Sequence, residues 1–282
     1  MSATKTPSEI SAVVCSLNEE ARIVHCLSSL KEAGVGEIIL VDGHSTDKTV
    51  EIASEYADKI VFDEGKGLGA ARNLGIEESE KYFILNFGAD NSIDRDALQL
   101  MLNDLERHQG VSCKTIKNGS NYLNRCRRIH CYLRYRHGPV DTIGTPSLFR
   151  RKTLKKYKFD NSRKGSDDSE LCDRIRDLEQ GTFYISNTNC FENGHETLQS
   201  VKLRWKNLYG GSDFEIYEAN KSNWSALRKF ASVVYPLRKE LLIPMFRIRK
   251  VKELEVIPFL FFITFWRYAG WIKNKYLKML KI

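Results

Sequence analysis

Apolar and polar positions alternate along the first hundred residues in two periods. Ile10 to Cys15 is a mostly apolar run, and Glu19 to Ala33 then places Ile23, Leu27 and Leu30 at helical spacing before Gly34 stops it. The same strand-then-helix unit recurs three times. Glu37 to Val41 leads into a helix over Asp47 to Ala57, with Ser45 or Thr46 available as N-cap. Lys59 to Asp63 leads into Leu68 to Ser79, and Tyr82 to Phe87 into Asp94 to Arg107. Four such units in about 100 residues predict an α/β fold with a doubly wound, mostly parallel sheet flanked by helices.

In such a sheet the ligand crevice lies beyond the carboxyl ends of the strands. Those four ends read Ser16-Leu-Asn-Glu-Glu20, Asp42-Gly-His-Ser-Thr-Asp47, Glu64-Gly-Lys-Gly-Leu-Gly-Ala-Ala-Arg-Asn73 and Gly88-Ala-Asp-Asn91. Ser16, Asn18, Glu19, Asp42, Lys66, Arg72 and Ala89 lie on these ends and are the donor-binding candidates. Carboxylates and amides with one Lys, one Arg and several glycines suit a nucleoside diphosphate held through a divalent cation. Asp90 is then a metal ligand, Asp42 an acceptor for a base or ribose donor, and Arg72 a partner for nucleobase or phosphates. The loop Gly65-Lys-Gly-Leu-Gly69 lacks the GxxxxGK[ST] order, and no GxGxxG follows the first strand. This argues against ATPase and NAD-binding readings.

Composition narrows the class without naming it. With 282 residues, 42% hydrophobic and 28% charged, the chain can bury one sizeable core or two modest ones. Its net charge of +8 is uneven: residues 200–282 hold 17 Lys+Arg against 6 Asp+Glu, and residues 1–199 hold 27 against 30. Seven scattered cysteines without CxxC spacing read as reduced thiols of a cytosolic protein. Cys126, His130, Cys131 and His137 have the wrong spacing for a structural zinc site. The N-terminus is polar through Glu9, which predicts no secretory leader.

The four strand ends carry a resemblance. Cys15-Ser-Leu-Asn-Glu-Glu20, Val41-Asp-Gly-His-Ser-Thr-Asp47, Gly67-Leu-Gly-Ala-Ala-Arg-Asn73 and Phe87-Gly-Ala-Asp-Asn91 resemble, in order and interval, the motifs of inverting family 2 glycosyltransferases with a GT-A fold. The resemblance spans Ile10 to Glu106. It implies that Asp42 contacts the nucleobase, that Arg72 lies beside it, and that Asp90 is the second acid of a DXD element binding Mg²⁺ or Mn²⁺ between the donor phosphates. Gly88 departs from the pattern, because the family usually has an acid there. Three alternatives follow: weaker metal affinity, compensation by Asn91 or His195, or a degenerate member that binds without turnover.

The second half must supply the acceptor site and a base. Asp141 to Arg151 reads as a strand entered through a Gly/Pro turn and resembles the family's acceptor-side segment. Gly165-Ser-Asp-Asp-Ser-Glu170 opens a helix running to Gly181. Acids at a helix start ordinarily compensate its dipole, but the resemblance implies an acidic pair here whose Asp is the general base. Asp168 fits that position. It further implies that a histidine near Glu192-Asn-Gly-His-Glu196, here His195, completes the metal shell. Gln199 and Arg204-Trp205 do not form QxxRW, which favours single transfer over processive synthesis.

The tail poses a separate question. Val256 to Trp266 is the most apolar run, but Pro258 and Arg267 leave it short of the ~20 residues of a spanning helix. Lysines and arginines on both sides, with Trp and Tyr between, suit a segment lying at an anionic membrane surface. A glycan or polyprenyl-lipid-linked acceptor and a cytoplasmic, peripheral location follow as expectations. Arg and Tyr interleaving with a basic pI suggests nucleic acid, but no recognised module supports it. The expected organisation is a nucleotide-sugar half over 1–110, an acceptor and base half over 111–199, and a basic helical extension over 200–282.

Overall fold

A computed structural model describes residues 5–161, 167–179 and 181–280. The chain divides into two compact units, one of residues 1–116 with 137–194 and one of 117–136 with 195–282. The expected break at residue 199/200 falls five residues after the observed one, and residues 117–136 join the C-terminal unit instead of the acceptor half.

The first unit is built on β1 (Ile10–Ser16), α1 (Ile23–Glu32), β2 (Glu37–Asp42), α2 (Thr49–Ala53), β3 (Lys59–Phe62), α3 (Leu68–Glu78), β4 (Phe83–Gly88), β5 (Asn91–Ser92), α4 (Arg95–Leu105) and β6 (Gly110–Lys117). After α5 (Tyr122–Arg134) come β7 (Gly138–Val140), β8 (Ser147–Arg150), α6 (Arg151–Tyr157), α7 (Asp167–Glu179) and β9 (Phe183–Glu192). The sheet runs β3-β2-β1-β4-β8-β6-β9-β5, with β7 on β9. Strands β3, β2, β1 and β4 are parallel. β8 enters antiparallel beside β4 and also pairs antiparallel with β6. The result is a mixed α/β sheet with helices on both faces.

β1 and β2 are apolar along nearly their whole length because helices cover both sides of the sheet. One face packs on α1 and α4 through Leu27, Leu30, Leu98 and Met101. The other packs on α3, α6 and α7 through Ala71, Leu154, Leu171 and Ile175. Gly75 lets α3 lie close, since a β-carbon there would come within 2.4 Å of Val13 Cγ1.

Helices α1 and α2 start later than periodicity predicts. The Glu19 amide donates to Thr49 Oγ1 at 2.7 Å and the Glu20 amide to Asp47 Oδ2 at 3.1 Å, so side chains take the groups that would open the helix. Neither Ser45 nor Thr46 caps α2. Asp47 Oδ1 accepts from the Thr49 amide, while Ser45 turns to Asp42. Asp94 caps α4 by accepting from the Ala97 amide. Gly165 and Ser166, expected to lead into α7, lie outside the described residues.

The second unit joins α5 to α8 (Leu198–Leu203), α9 (Gly210–Asn220), α10 (Ala226–Pro236), α11 (Ile243–Arg247) and α12 (Ile257–Met279). Two π-helical segments, Arg204–Tyr209 and Leu237–Leu242, interrupt the helical run. Trp205, Phe259, Leu260 and Ile263 form its core. Gly270 brings α12 against the first π-helical segment, since any β-carbon there would overlap the Lys206 carbonyl.

Charge is buried in this core. Glu240 is fully enclosed; His130 Nε2 and Arg134 each approach its carboxylate at 2.8 Å, and Arg267 contacts it too. Burial alone pushes the Glu240 carboxyl up, but Arg134 and Arg267 outweigh it and hold it well below the usual range. Burial keeps His130 neutral-leaning by lowering its pKa. Arg267 also reaches Asp213 at 2.6 and 2.8 Å. Removing one partner strands a buried charge, so Arg267→Met is expected to cost about 3–5 kcal/mol in urea denaturation of the whole chain. An unchanged midpoint would show that the network does not hold the unit together.

Candidate functional site

The carboxyl ends of the parallel strands gather most of the expected residues. Ser16, last in β1, stands opposite Asp42, last in β2, which stands opposite Phe62 of β3. Cys15 stands opposite Gly88 of β4. Asp42 is fully buried: Ser16 Oγ donates to it at 2.8 Å, and the Ser45 amide and hydroxyl each donate at 2.7 Å. Asn18 adopts φ 55° and His44 φ 63°, both in the left-handed region. The Asn18 side-chain oxygen accepts from the Thr46 amide at 2.9 Å, and its own amide donates to Ser45 Oγ. Asn18 therefore staples the first loop to the second. Glu19 Oε2 accepts from Arg22 Nε at 2.7 Å, and burial, partly offset by Arg22, raises its pKa.

The third loop behaves differently. Lys66 is exposed and pairs with Glu64. Arg72, one turn into α3, is buried. It donates to Asp167 Oδ2 at 2.6 Å, Asp168 Oδ1 at 3.0 Å and Thr145 Oγ1 at 2.7 Å, and its guanidinium lies 5.0 Å from the Phe159 ring centre. Arg72 thus ties α3 to the start of α7 and to the loop before β8.

Asp168 keeps about a quarter of its side chain open to solvent. Burial pushes its carboxyl up to about 6; Arg72 opposes that shift and Asp167 adds to it. Asn86 on β4 is buried, and its side-chain oxygen has no hydrogen-bond partner among the described residues. Burial also pushes the Cys15 thiol up to about 12, with Arg72 and Asp167 both near enough to act on it.

Ala89 is buried and Asp90 half-buried just beyond β4. The Asp90 carbonyl accepts from the Asn193 amide at 2.7 Å, and its charge reaches Glu19 and Cys26. A β-carbon at Gly88 would lie 3.1 Å from both Asp90 Oδ1 and Asn91 Nδ2. His195 is exposed and opens the second unit. Among the described residues no three His, Cys, Asp or Glu side chains cluster to hold a metal. Thr145 and Phe159 had no sequence signal, since each meets Arg72 only through the fold.

A mixed, mostly parallel sheet flanked by helices, with polar loops gathered at the strand ends, is the architecture of the GT-A fold. The chain matches the Glycosyl transferase family 2 profile over residues 11–165, more than half its length, and belongs to that family. It is similar to the poly-beta-1,6-N-acetyl-D-glucosamine synthase of Staphylococcus epidermidis, 25% identical over 254 residues, covering 82% of this chain and 60% of the synthase. It spans less than two thirds of the length of that and other curated relatives. Among solved structures it is similar to the mannosyltransferase PcManGT from Pyrobaculum calidifontis, in complex with GDP-Man and Mn²⁺. That match has TM-score 0.65, 15% identity, and covers 96% of this chain and 89% of the other. S. aureus TarS 1-349 in complex with UDP-GlcNAc gives TM-score 0.52 at 14% identity, covering 96% and 92%. At such identities the likeness establishes the fold.

The raised Asp168 pKa has a signed consequence. Its folded carboxyl holds a proton more tightly than an unfolded Asp with pKa about 3.9. Its contribution to stability is therefore full below about pH 4 and is lost as pH rises through about 6. Urea denaturation between those values should show a decline with pH that Asp168→Asn diminishes. Identical slopes in both proteins would contradict the assignment.

Proposed function

We propose that the chain transfers a sugar, with inversion, from a UDP- or GDP-sugar to a hydroxyl or phosphate of a glycan or polyprenyl-lipid-linked acceptor, one sugar per encounter. The observation that carries this reading is Asp168, its carboxyl pushed up to about 6 and aligned by Arg72 at the carboxyl end of the sheet. A base of that pKa is mostly ionised at neutral pH and still strong enough to accept a proton.

In this mechanism Asp168 takes the proton of the acceptor hydroxyl as that oxygen bonds to the anomeric carbon. The bond from that carbon to the diphosphate breaks, and its electron pair leaves with the nucleotide. Arg72 orients the Asp168 carboxylate and keeps it from drifting toward permanent protonation. Asp42, Ser16 and Glu19 frame the donor end, with Asn18 fixing the loop that presents them.

Asp90 is the carboxylate that would hold a divalent cation at this edge, since Mg²⁺ is usually bound through one or two carboxylates together with substrate phosphates. When bound it neutralises charge on the departing diphosphate. No complete protein cage is present among the described residues, so metal and donor are expected to bind together. Location is proposed to be cytoplasmic and peripheral to the membrane; no helix among the described residues is long and apolar enough to cross one. Gly88 favours one second reading, a noncatalytic nucleotide-binding scaffold.

Two measurements test the proposal. Thermal melting should rise with a UDP- or GDP-sugar plus Mn²⁺, by the equivalent of about 2.7 kcal/mol at a hundredfold excess over Kd, and Asp90→Ala should remove the Mn²⁺-dependent part. Equal shifts with every nucleotide and no metal would overturn it. Asp168→Asn should retain the donor-induced shift and lose ~10²–10⁴ of kcat, together with the acidic limb near pH 6 in kcat/KM. A wild-type protein that binds donors but never turns them over would instead establish the scaffold reading.

A further inference from the structure

Helix α12 is apolar on two sides, and the second unit covers one of them. Phe259, Leu260, Ile263 and Gly270 are buried. Phe261, Phe265, Ile272, Tyr276 and Met279 are spaced 4, 7, 4 and 3 apart, which puts them in one row on the other side. All five are exposed, Phe265 by 63% and Met279 by 72%.

Helix α10 repeats the pattern. Pro236 is its one buried residue, while Leu227, Phe230 and Val233 face water, Leu227 by 77%. The Tyr268 hydroxyl, on the line of the α12 row, donates to the Val233 carbonyl at 2.9 Å, so the two apolar rows meet.

The rim is cationic and aromatic. Arg228 stacks on Trp224 at 4.9 Å and Lys275 on Trp271 at 5.6 Å. From Ala226 to Leu280 the chain carries 12 Lys+Arg against 3 Asp+Glu; setting aside Arg267 and Glu240, which are buried and paired with each other, leaves 11 against 2. An exposed apolar row beside tryptophans and cations matches the headgroup region of a bilayer, where aromatic rings sit at the interface and cations meet anionic lipids.

We infer that the outer faces of α10 and α12 form an in-plane docking surface for an anionic lipid bilayer. The inference rests on the peripheral-membrane part of the reading above and identifies the residues that would make it. A second copy of the chain is the poorer occupant, because a twofold pairing of this face sets one cationic rim against its equal. The helices lie along the surface, with the apolar rows entering the acyl boundary and the lysines staying among headgroups.

The test is co-sedimentation of the full chain with phosphatidylcholine vesicles, with and without phosphatidylglycerol. Binding should require phosphatidylglycerol and weaken with salt. The double variant F265E/M279E should bind at least ~10-fold more weakly, and Lys275→Glu several-fold more weakly, at roughly fivefold for each cation lost. Both variants alter exposed side chains, so melting temperature and donor-induced thermal shift should stay as in the parent. That separates failure of docking from failure of the donor site. Undiminished binding by F265E/M279E, no binding to phosphatidylglycerol vesicles, or a dimer in light scattering that F265E/M279E splits would each overturn the inference.

Discussion

One guanidinium organises the first unit. Arg72 donates to Asp167, Asp168 and Thr145 and rests over Phe159, so one side chain joins α3, α7 and the loop entering β8. Burying an arginine is costly unless charge and hydrogen bonds compensate it, and here two carboxylates and a hydroxyl do so. The same contact fixes where the Asp168 carboxylate stands relative to the strand ends. The strand ends and the Asp168 carboxylate thus share one scaffold.

The second unit solves a comparable problem with a different result. Glu240, His130, Arg134, Arg267 and Asp213 neutralise one another inside a core that also holds Trp205. Such a network contributes little net stability over an apolar core, but it admits one register of α12 against α5 and the π-helical segments. Gly270 enforces the same register sterically. Fixing α12 by its inner side is what leaves its outer row in a defined orientation.

Much of the fold was legible because it is local. Four strands, each followed by a helix, announce themselves through period and length, and polar loops follow each of them. The Asp167-Asp168 pair was visible as a motif. What could not be read was long-range: Arg72 and Asp167 lie 95 positions apart, and nothing near either names the other. The contact by which Asn18 joins the first loop to the second was likewise not legible, since an amide in a loop has no sequence feature that names its partner. The antiparallel entry of β8, and the transfer of α5 to the C-terminal unit, depend on which faces pack together, and periodicity does not encode that choice.

The glycine at position 88 carries a consequence for any attempt at redesign. Its neighbours Asp90 and Asn91 have side-chain atoms 3.1 Å from where a β-carbon would stand. Placing an acid there is therefore not a simple substitution, because those side chains already crowd the position. Any side chain introduced at position 88 would therefore press on the Asp90 and Asn91 side chains together, and both would have to give by a few tenths of an ångström.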